Sequence, residues 1–518
     1  MSLRVRSGSI WLDDVVSKRG ASWGDNVTDM DNSGSLPMGE SKIPIGLVEH
    51  QQRLNQGVLG LWDIAASTMA NVGPAMSFYF SMAFIAFTAG IASPLTIIAA
   101  GIAIAFLANT LSEFTRVIPS AGSFITFIGK TFGATSAVTT SVVAGIGYML
   151  ACASVVAISG GFLSIILEYY FKINVPWGIL SLVLTLWATF MMVRGIKIST
   201  RVAGWFFVFE MIVLVGVSVF SLIKNGSHLS LEPFNPAKIT HGFSGLAAGF
   251  PLAIYLFIGW ENSATLAEET ANPRKNVPKA VFFSAGIMLV SYVLFTYATV
   301  ADFGYNVTRL TAAPIPFISV AHNLFGGAAV FAYMAGMTSI MASLIASANS
   351  QTRLVFNSGR EGLLHRWTGK VHAEHRTPMN AIYVYIGFQV LTIAVWGVFE
   401  IAGHRQMNVL NLYPEIATMG TILVLLVYLV ANLALPIYFK RHRPNEFKVI
   451  RHAVLPLLGA LTVIVPIYYL AKPGQVEPYS WYPYIGLGVL VASIIYAIVL
   501  VKRDPSIGER VGSIVADG

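Results

Sequence analysis

Apolar residues run along this chain in long stretches, separated by short polar connections rich in Lys, Arg, Gly and Pro. Crossing ~30 Å of hydrocarbon takes about 20 helical residues. Stretches of about that length or more lie at about 58–89, 94–112, 135–162, 176–194, 202–223, 242–267, 280–300, 325–352, 380–400, 413–438, 453–471 and 482–501. The pattern predicts twelve membrane-spanning helices. The strand-length alternation of an outer-membrane barrel is absent from it. Two stretches are interrupted. The first carries Ser67 to Ser77 with Gly73 and Pro74 in mid-run, where Pro lacks the N–H that a helix needs and Gly weakens the helix further. The sixth carries Gly259, Trp260 and Glu261, then polar positions that end it at Asn272, Pro273 and Pro278. Neither a Gly nor a carboxylate helps a helix that only has to sit in lipid. Two broken apolar segments in corresponding halves of a chain point to the substrate site of a secondary transporter.

Composition strengthens this reading. Hydrophobic residues make up 55% of the 518 and charged ones 11%, with a mean hydropathy of +0.67, too apolar for a soluble core to hide. Charge then orients the bundle. On the segment map, 27 of the 33 Lys and Arg fall on one side: the N-terminal tail, the connections after even-numbered segments, and the C-terminal tail. The positive-inside rule places both termini in the cytoplasm of a multi-pass cell-membrane protein. The same asymmetry accounts for the net charge of +8, so no nucleic-acid partner is needed to explain it.

Residues 1–56 are polar, mixed in charge and without an apolar core, which reads as a flexible cytoplasmic tail and not a signal peptide. Residues 502–518 form a second cytoplasmic tail. Cys152, the only cysteine, reads as a small packing residue. No metal-ligand cluster, phosphate loop or nucleophile–base pair stands out, so the reading calls for no metal, no cofactor and no enzymatic activity. The histidines near 365–375 fall in a basic connection. Asn225 and Asn306 head N-x-S/T triplets, a pattern common by chance.

The ordered motifs resemble the amino acid–polyamine–organocation superfamily, in particular bacterial amino acid permeases. They are Leu61-Trp62-Asp63 ahead of the Gly73-Pro74 break; Glu113 through Pro119 to Gly122, with Phe132-Gly133; the run from Gly259-Trp260-Glu261 to Asn272-Pro273-Arg274 and Pro278; and Arg353 through Gly359-Arg360-Glu361 to Arg376 and Pro378. The resemblance implies an all-α membrane protein of the leucine-transporter type. Its first inverted repeat would span 57–223 and its second 241–438, with two peripheral helices in 453–501 and discontinuous first and sixth helices.

Helix electrostatics then suggest roles. A helix unwound in mid-membrane exposes N–H groups that attract a carboxylate and carbonyls that hold an ammonium; an α-amino acid has both. Ala70, Asn71, Val72, Gly73, Pro74 and Ala75 are the expected carboxylate side, with an interhelical hydrogen bond the alternative for Asn71; Phe257, Ile258 and Gly259 are the expected amine side, and Trp260 with Tyr255 would close or line the pocket. Tyr255 and Glu261 are gate candidates, with ordinary helix packing the alternative for Tyr255 and Trp260, and a bond to freed backbone the alternative for Glu261. Glu268 and Glu269 fit either a gate or a solvated helix end.

No Lys or Arg lies in the interior of a predicted span, which disfavours dicarboxylic substrates. Neutral amino acids come first and polyamines or cationic amines second, since Glu210 and Glu261 sit near aromatics. Glu210 is about 13 Å along the fifth segment at ~1.5 Å per residue, where an ionised carboxylate is costly, so it is the expected coupling residue for a proton. In proton-coupled relatives that this segment resembles, a lysine stands at the corresponding place; Glu here departs from that pattern. The sodium alternative uses carbonyls near Ala70 and Gly73 with Ser347. A structural Glu bonded to a neighbouring helix is the plain alternative, and a receptor signalling through the N-terminal tail is the rival function.

Overall fold

A computed structural model of the chain describes residues 54, 56–372, 377–402 and 409–513. Most of the N-terminal tail, Arg376, Arg405 and the last five residues fall outside them. Every regular element among the described residues is helical, apart from an isolated parallel bridge between Leu59 and Thr270. In chain order the helices are α1 (Leu61–Val72), α2 (Pro74–Ala89), α3 (Ser93–Val117), α4 (Phe124–Phe132), α5 (Ala134–Ile166), α6 (Trp177–Val193), α7 (Ile196–Lys224), α8 (Phe243–Tyr255), α9 (Asn262–Thr265), α10 (Pro273–Asp302), α11 (Val307–Ala312), α12 (Pro316–Phe325), α13 (Val330–Arg360), α14 (Met379–Ala402), α15 (Val409–His442), α16 (Leu455–Ala471), α17 (Tyr482–Arg503) and α18 (Ile507–Arg510).

Each predicted apolar stretch falls on helix. Nine helical stretches among the described residues are long and apolar enough to cross a membrane, the first of them, Leu61–Val117, covering both of the first two predicted segments. Two more apolar helices, Trp177–Val193 and Phe243–Tyr255, are shorter. The polar run from Asn272 to Pro278 differs from expectation: it does not end a helix but begins one. Pro273 is the first residue of α10, where proline's fixed φ suits a first turn whose N–H groups have no intrahelical partner, and Pro278 lies inside the helix. The fifth segment starts at Ile196, earlier than the expected Arg201.

Both breaks are present. Between α1 and α2 a single residue, Gly73, takes φ 60 and ψ 69, a left-handed conformation that costs a residue with a Cβ about 1–2 kcal/mol. Between α8 and α9 the chain turns through Leu256 to Glu261, with Gly259 at φ 104. Phe78 of α2 packs on Tyr292 and Phe295 of α10 and on Phe317 of α12, with ring centroids 6.4, 5.8 and 5.7 Å apart, which fixes the helix that follows the first break.

The wall facing the breaks is α5, and it is set by a close crossing with α15. A Cβ at Gly420 would stand 2.6 Å from the carbonyl oxygen of Gly147 and 2.9 Å from the Ala151 nitrogen. The backbones therefore touch, as small residues allow in membrane bundles. We expect Gly420→Val to force the two helices apart and to lower stability by about 1–3 kcal/mol, the usual range for overpacking. Thermal unfolding of the purified protein in detergent checks this, and an unchanged midpoint would contradict the crossing.

Candidate functional site

The two breaks lie against each other. Asn71 donates through Nδ2 to the Gly259 carbonyl at 3.4 Å. The Thr68 and Ser263 hydroxyls pair at 2.5 Å, and Asn262 Nδ2 donates to Ser67 Oγ at 3.0 Å. All of these except Asn71 are buried, so the crosslinks are sheltered from water.

Each break frees backbone N–H groups, and in each an acid takes one of them. Ala75 N–H donates to the Glu210 carboxylate at 3.0 Å, and Gly259 N–H to the Glu261 carboxylate at 3.2 Å. The remaining donors at the start of α2 are also engaged: Met76 N–H with Ser339 Oγ at 3.1 Å and Ser77 N–H with the Gly73 carbonyl at 2.8 Å. Pro74 has none to give. The α2 N-terminus thus meets its acceptors within the chain, because a dry interior offers no water to the groups a broken helix leaves over. Glu210 itself is fully buried, and its Oε1 has no hydrogen-bond partner among the described residues.

Between the breaks and α5 and α13 lies a cavity of about 40 Å³, room for a few waters at roughly 10–15 Å³ each and less than an amino acid needs. Of the residues singled out in the sequence, Asn71, Val72, Ile258, Gly259, Tyr255, Glu261 and Ser347 line it. Ala70, Gly73, Pro74, Ala75, Phe257, Trp260 and Glu210 do not reach it. Trp260 is turned away, 1% exposed and packed on Phe124 and Tyr428 with centroids 6.4 and 5.7 Å apart. Phe257 packs on Tyr292 at 5.3 Å. Tyr255 combines both readings, since it lines the cavity and bonds the Tyr413 hydroxyl at 3.1 Å.

Sequence reasoning missed the facing wall. Tyr148, Ala151, Cys152 and Val155 of α5 line the cavity, spaced to share one helix face. On α13, Ser343 and Gln351 join Ser347. The residues of α13 that touch the first break are different from the one expected: Ser343 Oγ donates to the Asn71 carbonyl at 3.0 Å and Ser339 accepts from Met76, whereas Ser347 bonds Leu344 of its own helix. Serines four apart share a face, but spacing alone does not say which one sits level with the break. A second cavity of about 10 Å³ shares Tyr148 and Glu261 with the first and adds Ser123, Phe124, Thr265 and Ser350 among its lining residues.

Toward the end of α13, buried ion pairs tie this helix to the stretch between α9 and α10. Glu269 pairs with Arg353, and Glu268 with Arg360 at 2.6 Å. Leu54 N–H donates to Glu268 at 3.0 Å, while Leu59 exchanges backbone bonds with Glu269 and Ala271. Glu268 and Glu269 are therefore not a solvated helix end. Among the described residues no group of His, Cys, Asp or Glu is arranged to hold a metal ion.

Comparison with known proteins agrees with this architecture. The pattern of the family described as Amino acid permease matches residues 59–497. The branched-chain amino acid permease BcaP of Bacillus subtilis (strain 168) is 23% identical over 423 residues, covering 78% of this chain and 86% of the relative. The uncharacterized amino acid permease YecA of the same organism is 25% identical over 352 residues, covering 67% and 75%. Among solved structures, a mutant of the Eremococcus coleocola manganese transporter superposes with a TM-score of 0.53 at 12% identity, over 86% of this chain and 95% of that one, a likeness of fold. This multi-pass membrane protein belongs to the amino acid permease family and is a transporter, not an enzyme.

Proposed function

We propose that the protein carries amino acids across the cell membrane by alternating access, coupled to protons through Glu210. The observation that carries the coupling is the position of Glu210: one carboxylate oxygen holds Ala75 N–H at the first break while the other is buried with no hydrogen-bond partner among the described residues. Leaving a charged oxygen unpaired in a dry interior is costly, and a proton or a small cation relieves the cost. Loading and unloading that oxygen changes how firmly α2 is held at the break. The proton is the favoured partner; a sodium ion is the alternative, with Ser339 and Ser343 better placed than Ser347 to support it.

The substrate lies in the cavity at Asn71, Val72, Ile258 and Gly259, with its ammonium toward the sixth-segment carbonyls. Two inverted repeats, 57–223 and 241–438, rock about this site, and the end closed by the Glu268 and Glu269 ion pairs faces the cytoplasm with both termini. Neutral amino acids are the first class to test. A cationic amino acid or amine is the second, because Glu261 is the one charged residue among those lining the cavity. A thermal-stability screen against amino acids and amines separates them, since a ligand that binds the folded state raises its apparent stability.

Two outcomes follow. Enlarging Gly259 sets a side chain against Asn71, whose Nδ2 would be 2.8 Å from a Cβ there, at a φ that side chains rarely adopt. Gly259→Leu should therefore weaken substrate binding about tenfold or more, a change of ~1.4 kcal/mol, in a protein that still folds; titration of ligand-induced stabilisation measures it. For coupling, wild type and Glu210→Gln are compared in proteoliposomes under imposed pH and sodium gradients. The variant should lose gradient-driven accumulation and keep exchange. Full accumulation by the variant would remove Glu210 from the coupling step.

A further inference from the structure

The segment after the last long helix does not hang free. From Asp504 the chain folds back, and the short helix α18 sends Ile507 and Val511 into the bundle, where they are 0% and 2% exposed. Three kinds of contact hold it. Arg510 pairs with Asp504 at 2.7 Å, which closes the turn on itself. Arg510 Nε donates to the Glu361 carbonyl at 3.1 Å and Gly512 N–H to the Glu361 carboxylate at 3.0 Å. On the other side Val511 and Gly512 lie against α4: a Cβ at Gly129 would stand 2.6 Å from Val511 Cγ1, and one at Gly512 would stand 2.8 Å from Thr126 Cγ2. The segment thus spans from α4, between the second and third long helices, to the end of α13.

The place where it grips α13 matters. Glu361 follows Arg360 directly, and Arg360 holds Glu268 in one of the ion pairs that, on the reading above, close this end of the bundle. Opening that end requires α13 and the stretch carrying Glu268 and Glu269 to part, or to move together away from α4. With 504–513 docked, the end of α13 that carries Arg360 and Glu361 is tied to α4. Burial pushes the Glu361 carboxyl up to about 7, against the pull of Gly512 N–H, Asn357, Arg360 and Lys130. At neutral pH it therefore carries only part of its charge, which lowers the cost of covering it with apolar Ile507 and Val511.

We infer that the C-terminal segment 504–513 is an autoinhibitory latch that holds the Glu268 and Glu269 end of the transporter closed until it undocks. This rests on the alternating-access reading above. Release of the segment removes two hydrogen bonds and the Ile507 and Val511 packing from the closed state alone, which shifts the population toward opening.

The single cysteine provides the reporter, since Cys152 lines the central cavity. A membrane-impermeant maleimide is added to the tail side or the opposite side of sealed vesicles that contain full-length wild type, Arg510→Ala or Ile507→Ser. Tail-side labelling of Cys152 should rise by roughly five- to tenfold in both variants, the shift expected from losing one or two hydrogen bonds and their packing, with labelling from the opposite side unchanged or slower. Limited proteolysis after Arg503 confirms undocking. Undocked variants with wild-type labelling from the tail side would overturn the latch. So would equal increases from both sides, which mean general loosening. A wild type labelled from neither side under any gradient or substrate would instead bring down the alternating-access reading, and the latch with it.

Discussion

A helix broken inside a membrane must find partners for the backbone groups it gives up, and that constraint organises the centre of this protein. Water is excluded there, so each unpaired N–H or C=O weighs heavily against folding. The chain answers from its own side chains: Glu210 on Ala75 N–H, Ser339 on Met76 N–H and Glu261 on Gly259 N–H. Asn71, Thr68 and Asn262 then bind one break to the other. The two breaks are one polar unit in an apolar bundle, and the cavity lies beside that unit.

The long helices were legible in the sequence because hydrocarbon demands about 20 apolar residues at a time, a requirement that leaves a strong periodic mark. Elements shaped by contacts with distant chain were not legible. The helix α4, the pair α11 and α12, and the short α18 are too brief for such a signal and are held by what they pack against. Pro273 misled for a related reason: a proline forbids a helix interior in general, but at the first position of α10 the N–H it lacks is one the helix can do without.

At the site, the sequence exposed the breaks and Glu210, since Gly-Pro, Gly-Trp and a lone carboxylate are each unfavourable in a plain membrane helix. It did not expose the opposing wall. Tyr148 and Cys152 look like ordinary residues of an apolar helix, and only the crossing of Gly147 with Gly420 turns their face to the breaks. The serines of α13 show the same limit. Spacing puts Ser343 and Ser347 on one face, and the tertiary structure sets Ser343, with Ser339 one turn before it, against the first break and leaves Ser347 to the cavity.

The acids divide into two kinds, and the division follows the work each place must do. At the end of the bundle Glu268 and Glu269 each have a buried arginine. Removing one partner of such a pair strands the other charge, at about 3–5 kcal/mol, so these pairs act as fasteners. Glu210 and Glu261 have no Lys or Arg ion-pair partner among the described residues; each accepts a backbone N–H at its break, with the Ser339 hydroxyl beside Glu210 and those of Tyr148 and Tyr428 beside Glu261. A carboxylate without a cationic partner can gain a proton or a cation without stranding one. Paired acids thus stand at one end of the bundle, and acids without an arginine partner among the described residues stand at the two breaks.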